Sequence, residues 1–340
     1  ILLKYPNTCD SQQRRIPLSQ GQSVEINVSS DDPLLGVIGS GNYASRMLIP
    51  AFADAGARFH SLCASTGIGP VLVGRKFGFQ FATTDVPALL SDQGCNTVII
   101  ATRHDSHASL VKQSLAAGKH VFVEKPLCLT TAELNDIEAM HTDEKLLMVG
   151  FNRRFAPLLI DLKQQLSGLS GPKAFIYTCN SGFISSDHWT QDPAIGGGRL
   201  LGEACHFVDL LRHLADCPID DIKVTSAADN KSCPDTFSLQ LHFVDGSIGT
   251  VHYFANGSKS LSKERLEVFV DGKVLQLDNF RKLKAWGISG FRTKRLLQQD
   301  KGQFACCAAF LHAIKSGSPA PIPISEIFEV QRWLVEVVEK

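Results

Sequence analysis

The sequence predicts an α/β protein with two domains: a doubly wound parallel sheet, followed by an α+β domain with an open, mostly antiparallel sheet. The chain has 340 residues, more than one ordinary hydrophobic core accommodates. From Leu34 onward, uniformly apolar strands alternate with helical segments, as in a parallel sheet buried on both faces. After Gly150 the strands are joined by Asp-Gly turns, which are typical of antiparallel hairpins. We therefore predict a leader or linker over residues 1–33, a first domain over 34–150 and a second over 151–340.

Five apolar runs in the first domain are predicted strands, with helical segments between them. The strands are Leu34–Gly39, Phe59–Ala64, Thr97–Ala101, His120–Val123 and Leu146–Gly150. The clearest helices are Ser106–Ala117 and Thr131–His141. Strands and helices that alternate at this length specify a parallel, doubly wound sheet.

The second domain begins with a helix, contains several strands and ends in two amphipathic helices. Its predicted strands are Lys173–Asn180, Lys223–Ala227, Phe237–Phe243, Ser247–Phe254, Arg265–Val270 and Lys273–Leu277. Its predicted helices are Ala156–Leu166, Leu200–Leu214, Gly302–Lys315 and Ser325–Val338. We expect the last two helices to pack back on the first domain.

Composition and charge exclude several classes of function. Lys and Arg together number 34, as do Asp and Glu, so no broad basic surface is available for nucleic acid or anionic lipid. No apolar run approaches the ~20 residues of a membrane span. The ten cysteines are scattered without a CxxC pair, which predicts free thiols in the cytoplasm and no metal site.

A glycine-rich turn directly follows the first predicted strand and precedes a helix. Its residues are Gly39, Ser40, Gly41, Asn42, Tyr43 and Ala44, in the pattern G-x-G-x-x-A. The first glycine permits a tight turn, and the second lets the backbone approach a pyrophosphate, which the helix N-terminus attracts. The motif predicts a Rossmann domain that binds NAD or NADP.

The end of the second strand bears on which of the two cofactors is preferred. An acidic residue there usually accepts hydrogen bonds from the ribose 2′-OH of NAD, but this strand is followed by Ser65 and Thr66. A neutral Ser65 does not repel a 2′-phosphate, whereas the cations Arg75 and Lys76 come only a helix later. The sequence leaves NAD and NADP open, with a slight preference for NADP.

Three segments together resemble the glucose–fructose oxidoreductase and inositol dehydrogenase (Gfo/Idh/MocA) family. They are the loop Gly39–Ala44, the run Val123–Leu127, and Gly196–Gly198 followed by His206–Asp209. The likeness extends over about residues 34–340. It implies hydride transfer to or from a hydroxyl-bearing carbon of a sugar or polyol. It also implies an open second-domain sheet, through which such proteins often form homo-oligomers.

Glu124 and Lys125 lie just past the carboxyl end of an inner strand, where doubly wound folds place their ligands. A cation there can hold a substrate hydroxyl and the nicotinamide edge, and the family has its functional lysine at the position of Lys125. We therefore predict that Lys125 is catalytic and contacts substrate and cofactor, and that Glu124 contacts the cofactor. The alternative is a solvated surface lysine.

Thr102 and His107 follow the strand that ends at Ala101, in a segment that resembles the family's loop beneath the nicotinamide ribose. Arg103 and His104 replace the Pro and Asn that are common in that loop. The resemblance implies that Thr102 and His107 contact the cofactor, although the segment also suits an ordinary helix N-cap.

His206 is the candidate base, because imidazole has a pKa near neutrality and can take a hydroxyl proton as hydride leaves the same carbon. The family frequently has an Asp four residues earlier, where this chain has Gly202. Glu203 and Lys125 are the groups that can assist in its place. Asp209 matches the family's second Asp and is assigned, with His206, to substrate binding. The alternative is a core histidine on an apolar helix.

Arg153 belongs to an Asn-Arg-Arg run that is similar to a segment of the family. It is a candidate for contact with substrate hydroxyls or phosphate, and a salt bridge at the domain junction suits it equally.

Ile1–Pro6 and Gly202–Phe207 are similar to bacterial two-part proteins that join an alcohol-dehydrogenase half to a member of this family. That similarity points to a nucleotide sugar as substrate.

Two other functions remain open at this point. One is a non-catalytic dinucleotide-binding regulator, which Gly202 in place of Asp favours. The other is a hydrolase or epimerase of the same fold that uses NAD transiently. The identity of the sugar, the direction of the reaction and the oligomeric state do not follow from the sequence.

Overall fold

The computed structural model describes residues 14–18, 32–65, 68–227 and 234–340, which form two sheets and the helices packed on them. The first sheet contains β1 (Arg15–Pro17), β2 (Leu34–Ile38), β3 (Arg58–Cys63), β4 (Phe81–Thr83), β5 (Thr97–Ile100), β6 (His120–Val123) and β7 (Leu147–Val149). Their order is β1-β4-β3-β2-β5-β6-β7, and all pairs are parallel except β1 with β4. The predicted doubly wound sheet is confirmed.

Helices cover both faces of this sheet, and two of those that the structure describes begin with a side-chain cap. They are a π-helical turn (Ala44–Leu48), α1 (Ile49–Asp54), α2 (Ile68–Phe77), α3 (Val86–Ser91), α4 (His107–Ala116) and α5 (Thr131–Met140). A capping box begins α5, because the Thr130 side chain accepts from the backbone N–H of Glu133 and the Glu133 carboxylate accepts from that of Thr130. The Asp85 side chain caps α3 in a similar way by accepting from Ala88 N.

One strand lies inside the segment that the sequence indicated as a leader or linker. Arg15–Pro17 pairs antiparallel with β4 at the edge of the sheet, and the Arg15 guanidinium lies 3.7 Å from the centre of the Phe81 ring. Its Nη1 also pairs with Asp92 at 2.9 Å. A three-residue edge strand carries too little apolar pattern to be visible in the sequence. The segment Ile1–Pro6 lies outside the described residues.

The second sheet has eight strands and is mostly antiparallel, as predicted. They are β8 (Ala174–Asn180), β9 (Ile219–Ser226), β10 (Thr236–Phe243), β11 (Ile248–Phe254), β12 (Glu264–Val270), β13 (Lys273–Asp278), β14 (Lys282–Trp286) and β15 (Lys294–Arg295). Their order is β15-β14-β13-β12-β8-β11-β10-β9, and β8 with β11 is the parallel pair. One face packs against α6 (Pro157–Leu166) and α7 (Cys205–Ala215), while the other is open.

The last two helices of the chain, α8 (Gln303–Ser316) and α9 (Ile324–Glu339), return to the first sheet. Helix α8 contacts α1, and α9 contacts α5, β7 and α7. The fully buried Gln331 side chain accepts from Leu127 N at 3.2 Å and donates to Cys128 O at 2.9 Å. Helix α9 is therefore hydrogen-bonded to the segment that follows β6.

Candidate active site

A cavity of about 440 Å³ opens between the two sheets at the carboxyl ends of β5 and β6. The first domain contributes Tyr43, Thr102, His107, Glu124 and Lys125 to its wall. The second contributes three further predicted site residues, Arg153, Glu203 and His206. The carboxyl edge of a doubly wound sheet, next to the point where strand order reverses, is where such folds bind ligands. The strand order reverses here between β2 and β5.

The glycine turn Gly39–Ala44 has the geometry that a dinucleotide requires. Gly39 has φ +110°, and a Cβ atom there would lie 2.3 Å from Ala101 O, so no other residue fits. A Cβ atom on Gly41 would meet no other atom within 4 Å, because the space above this residue is open. Ser40 is half-buried and Asn42 is exposed beside this space. The turn therefore fits a pyrophosphate, whose approach to the backbone needs that opening.

Tyr43 and Glu124 form a hydrogen-bonded pair next to this turn. The Tyr43 hydroxyl donates to the Glu124 carboxylate. This carboxylate packs on Gly150, where an added Cβ atom would lie within 3 Å of it. Burial raises the pKa of Glu124 from 4.5 to about 7, and burial together with the Glu124 charge raises that of Tyr43. Glu124 is therefore a carboxyl group that changes charge near neutral pH.

His107 connects two loops at the edge of the cavity. Its Nδ1–H donates to Pro126 O at 2.7 Å, and its Nε2 faces Thr102 O at 3.3 Å. The Thr102 hydroxyl is itself 2.6 Å from the Ser106 hydroxyl. The fully buried imidazole thus fixes the turn that carries Lys125 relative to the loop after β5. His107 holds the position of Lys125 and Thr102 in addition to lining the cavity.

Lys125 reaches across the cavity from the first domain to the second. Its Nζ donates to Gly202 O at 2.6 Å, in the π-helical turn Leu200–Ala204 that precedes α7. An ammonium group has three donors, so two remain for a ligand. The alternative of a solvated surface lysine is excluded, because this side chain lies in the wall of the cavity and spans the junction.

His206 is buried on α7 with one ring nitrogen unused. Its Nδ1 has no hydrogen-bond partner among the described residues, and only 7% of the residue is exposed. Burial and the positive charges of Arg153 and Lys125 lower its pKa well below 6.5. The expectation that this imidazole titrates near neutrality is therefore wrong for the ligand-free protein. The ring is neutral at pH 7 and able to accept a proton.

Glu203 lies one residue after Gly202 and is the carboxylate that the second domain presents to the cavity. Lys125, Lys263 and Arg199 are the largest of the positive charges that hold its pKa below the usual value, against the opposing effect of burial. Glu203 is therefore ionised at neutral pH.

A second imidazole in the wall, His104, was not selected as a site residue from the sequence. Its Nδ1–H donates to Gly196 O at 2.7 Å, and its ring meets Trp189 edge-on at 4.8 Å. Burial and the Lys125 charge lower the pKa of His104 to about 3, so the ring is neutral. Because Nδ1 carries the proton, Nε2 is left as an acceptor. The replacement of the common Asn by His104 was the available signal.

Two predicted substrate-binding residues are used by buried ion pairs. Asp209 is fully buried in α7 and accepts from Arg154 Nε at 2.9 Å and Nη2 at 2.6 Å, away from the cavity wall. Its assignment to substrate binding is therefore corrected, because Arg154 occupies its oxygens. Arg153 does line the cavity, but its Nε and Nη2 donate to Glu264 at 2.8 and 3.0 Å. The salt bridge at the domain junction is present.

Ser65 lies on the surface two residues after the end of β3. It is exposed at the carboxyl edge of the sheet, where the second strand of a dinucleotide-binding domain meets the ribose. Arg75 and Lys76 lie in the last turn of α2, so they do not follow the strand directly.

In the part of the chain that the structure describes, no group of three His, Cys, Asp or Glu side chains is arranged to hold a metal ion. No described helix is long and apolar enough to cross a membrane.

Two family models match the chain, one over each sheet. The model described as "Oxidoreductase family, NAD-binding Rossmann fold" matches residues 34–151. The model of the GFO/IDH/MocA C-terminal domain matches residues 174–275.

Curated proteins and solved structures with similar sequence or shape agree with these matches. Oxidoreductase cns1 of Cordyceps militaris is 27% identical over 58% of this chain and 25% of its own length. Myo-inositol 2-dehydrogenase of Thermotoga maritima is 26% identical over 61% of this chain and 63% of its own. The matches therefore span less than two thirds of these relatives.

Among solved structures, an oxidoreductase domain protein from Kribbella flavida has a TM-score of 0.80 with 22% identity, over 90% of this chain and 96% of that one. Levoglucosan dehydrogenase in complex with NADH and levoglucosan has a TM-score of 0.78 with 21% identity, over the same shares. At this identity, the likeness establishes the fold.

Proposed function

The chain belongs to the Gfo/Idh/MocA oxidoreductase family, and on that premise we propose that it is an NAD(P)-dependent dehydrogenase or reductase. It transfers a hydride to or from a hydroxyl-bearing carbon of a sugar, polyol or nucleotide sugar. One observation carries the proposal: His206 and Lys125 both line one cavity beside the pyrophosphate turn. The similarity to an inositol dehydrogenase and to a levoglucosan dehydrogenase supports the same class of substrate.

The protein's own part in this reaction is to hold the substrate hydroxyl and move its proton. A dinucleotide whose pyrophosphate is held by the Gly39–Ala44 turn would supply the hydride acceptor or donor through its nicotinamide. Lys125 donates to Gly202 O and has two further N–H donors, which orient and polarise a substrate oxygen. His206 is neutral and lines the cavity, so its imidazole accepts the hydroxyl proton during oxidation and returns it during reduction.

The end of β3 bears on the choice between NAD and NADP. An NADH complex is known for a protein of the same fold, whereas the exposed Ser65 presents no carboxylate to exclude a 2′-phosphate. We expect binding of both cofactors, with a slight preference for NADP. Ser65→Asp should shift the ratio of dissociation constants toward NAD, because a carboxylate repels the 2′-phosphate and accepts from a 2′-OH. An unchanged ratio would place Ser65 away from the ribose.

The function is tested by following the absorbance of the reduced nicotinamide while sugars and polyols are offered with NAD or NADP. Mass spectrometry of the freshly purified protein for retained cofactor and sugar selects the first candidates. The proposal predicts turnover that falls strongly in His206→Ala with cofactor affinity retained. Binding of both ligands without turnover would instead support a regulator. Product formation through a cofactor that is reduced and reoxidised within one turnover would support the hydrolase or epimerase alternative.

The open face of the second sheet supports self-association. Ile248, Phe269, Val274 and Trp286 form a row across this face, since Ile248 and Phe269 both pair with Ala174, and Val274 pairs with Phe269 and Trp286. Ile248, Phe269 and Trp286 are 40–50% exposed. A continuous exposed apolar row is typical of a surface that another chain covers. We therefore propose a homo-oligomer through this face. Phe269→Lys should dissociate it in sedimentation velocity, whereas Leu72→Lys on α2 should not.

A further inference from the structure

Arg199 is a buried cation whose guanidinium has neither a salt bridge nor a hydrogen bond to another described residue. It follows the Gly196–Gly198 turn, is 3% exposed and lies in the cavity wall, with its guanidinium 5.1 Å from the centre of the Tyr253 ring. Its Nε is buried without a hydrogen bond, and the side chain makes no ion pair or hydrogen bond with another described residue. A buried charge without such a partner is costly, so its retention in a cavity wall points to a ligand.

A second cation, Lys263, reaches the same cavity from the connection between β11 and β12. It also makes no ion pair within the described part of the chain. The other second-domain cations on the wall differ, because Arg153 and Lys301 both pair with Glu264, at 2.8 and 2.6 Å. Arg199 and Lys263 are therefore the second-domain cations of this cavity whose charges remain unpaired.

The carboxylates of the site do not balance these charges. Among the described residues, five cations line the cavity, and Glu203 and Glu124 are the acidic lining residues, with Glu264 behind them. Glu203 faces Lys125, Lys263 and Arg199 together. Glu124 is paired with Tyr43 on the opposite side, and burial raises its pKa to about 7, so it carries only part of a charge at neutral pH. The second-domain side of the cavity therefore has a surplus of positive charge.

The cofactor's phosphates do not account for this surplus. They belong at the Gly39–Ala44 turn in the first domain, where Glu124 is the carboxyl group that acts on Tyr43. Arg199 and Lys263 act on Glu203 in the second domain. The anion that they suit is thus one carried by the substrate.

We propose that the substrate is an acidic sugar, with a carboxylate or phosphate on the sugar itself, and that Arg199 and Lys263 bind this anion. The inference rests on the proposed function and specifies its substrate class. Because Arg199 is buried inside the cavity and not at its mouth, the anion lies close to the reacting ring. A guanidinium binds carboxylate and phosphate alike through paired N–H donors, so both forms remain in the proposal.

The anion has a consequence for the base. The positive charges of Lys125, Lys263 and Arg153 contribute to the low pKa of His206. A bound anion offsets these charges and raises that pKa, so His206 becomes a stronger base when an acidic substrate is bound. A neutral sugar provides no such offset.

The test compares matched sugars that differ in one group. Hexoses of the gluco, galacto and manno configurations are each offered as the neutral sugar, the hexuronate and the 6-phosphate, with saturating cofactor. We expect an acidic member to exceed its neutral counterpart in kcat/KM by about tenfold or more. Arg199→Gln should remove that advantage, Arg199→Lys should retain part of it, and Lys315→Gln, an exposed cation on α8, should leave it intact.

Calorimetric titration of the same sugars into the cofactor-saturated protein gives a second measurement that does not need turnover. Preferred binding of hexuronates identifies a carboxylate, and preferred binding of the 6-phosphates identifies a phosphate. Neutral sugars that bind and react as well as acidic ones, an acidic preference that survives in Arg199→Gln, or no binding of any acidic member would each overturn the inference. Neutral sugars that react would leave the dehydrogenase function standing. Failure to bind NAD or NADP would instead reject the function itself.

Discussion

The imidazole of His104 packs directly against Gly202. A Cβ atom on residue 202 would lie 3.0 Å from Cε1 of His104 and 3.4 Å from its Nδ1. A side chain at position 202 therefore crowds the His104 ring, which would have to move by a few tenths of an ångström. The family frequently has Asp at the position of Gly202. In this chain that Asp is absent, and the imidazole of His104, from the loop after β5, occupies the adjoining space.

This relationship predicts strong coupling between the two positions. Gly202→Asp alone should cost about 1–3 kcal/mol of stability and lower turnover, because the new side chain crowds the His104 ring and strains its hydrogen bond to Gly196 O. The double variant Gly202→Asp/His104→Asn should recover much of both losses, since the smaller amide makes room. Chemical denaturation and steady-state kinetics on the four proteins give the coupling energy. Additive losses would show that the two residues are independent.

Gly41→Val should abolish dinucleotide binding while the protein stays folded. The added side chain projects into space that is empty of protein atoms, so it clashes with nothing except a bound pyrophosphate. Calorimetry with NAD and NADP and the thermal unfolding midpoint are the two measurements. Gly168→Val, at another exposed glycine whose Cβ would meet no atom, serves as the control for substitution as such. Unchanged cofactor affinity in Gly41→Val would contradict the assignment of the turn.

His206→Ala and Lys125→Ala should each lower kcat by about 10²–10⁴-fold without unfolding the protein. Because the surroundings lower the pKa of His206, the acid limb of kcat/KM should lie well below pH 6.5, where protonation removes the base. His206→Ala should lack that limb. If His206→Ala retains a near-normal rate, the proton moves by another route, and Glu203→Gln is the next variant to measure.

Glu124→Gln should change how the free energy of unfolding depends on pH. The pKa of Glu124 is about 7 in the folded protein against an ordinary 4.5, so the unfolded chain releases its proton first as pH rises. Stability therefore falls between about pH 4.5 and 7, by up to about 3 kcal/mol from this group, and stays lower above pH 7. Glutamine has no such proton. The difference between variant and parent, measured without cofactor by urea unfolding, should grow in favour of the variant over that interval; a constant difference would contradict the raised pKa.

Asp209→Ala should destabilise the fold by about 3–5 kcal/mol, because it leaves the Arg154 guanidinium buried without its main partner. The substrate KM of whatever folded protein remains should be close to that of the parent, since Asp209 does not line the cavity. A large rise in KM with unchanged stability would return Asp209 to substrate binding.

The parts of the fold that were predictable are those with a strong local pattern. The runs that became β2, β5 and β6 are fully or almost fully apolar, and the turn after β2 has its own glycine signature. The strands Arg15–Pro17, Phe81–Thr83 and Lys282–Trp286 are short or polar and exist because of their neighbours in the sheet, so the sequence does not indicate them.

The candidate site divides in the same way. Thr102 and Lys125 could be placed near each other because each follows the carboxyl end of an inner strand. Lys263 and Trp189 reach the cavity from connections whose course depends on the folded second domain, and no local pattern distinguishes them. Asp209 was misassigned because it is only three residues from His206 in the sequence. On the folded helix its side chain is directed to Arg154 in the core.

The return of α9 to the first sheet limits how this protein can be divided or recombined. The Rossmann portion is discontinuous: residues up to Val149 form its sheet, but Gln331 completes the hydrogen bonding of Leu127 and Cys128, near the end of the chain. A fragment that stops at residue 150 would leave those backbone groups and the apolar side of α5 uncovered. In a chimera, the terminal helix of a foreign substrate domain would have to fit this surface of the Rossmann portion. Otherwise the chimera would have to omit that helix and retain α9 of this chain. We therefore expect that substrate specificity is exchanged between relatives more readily by substitutions within the second domain than by transfer of the whole domain.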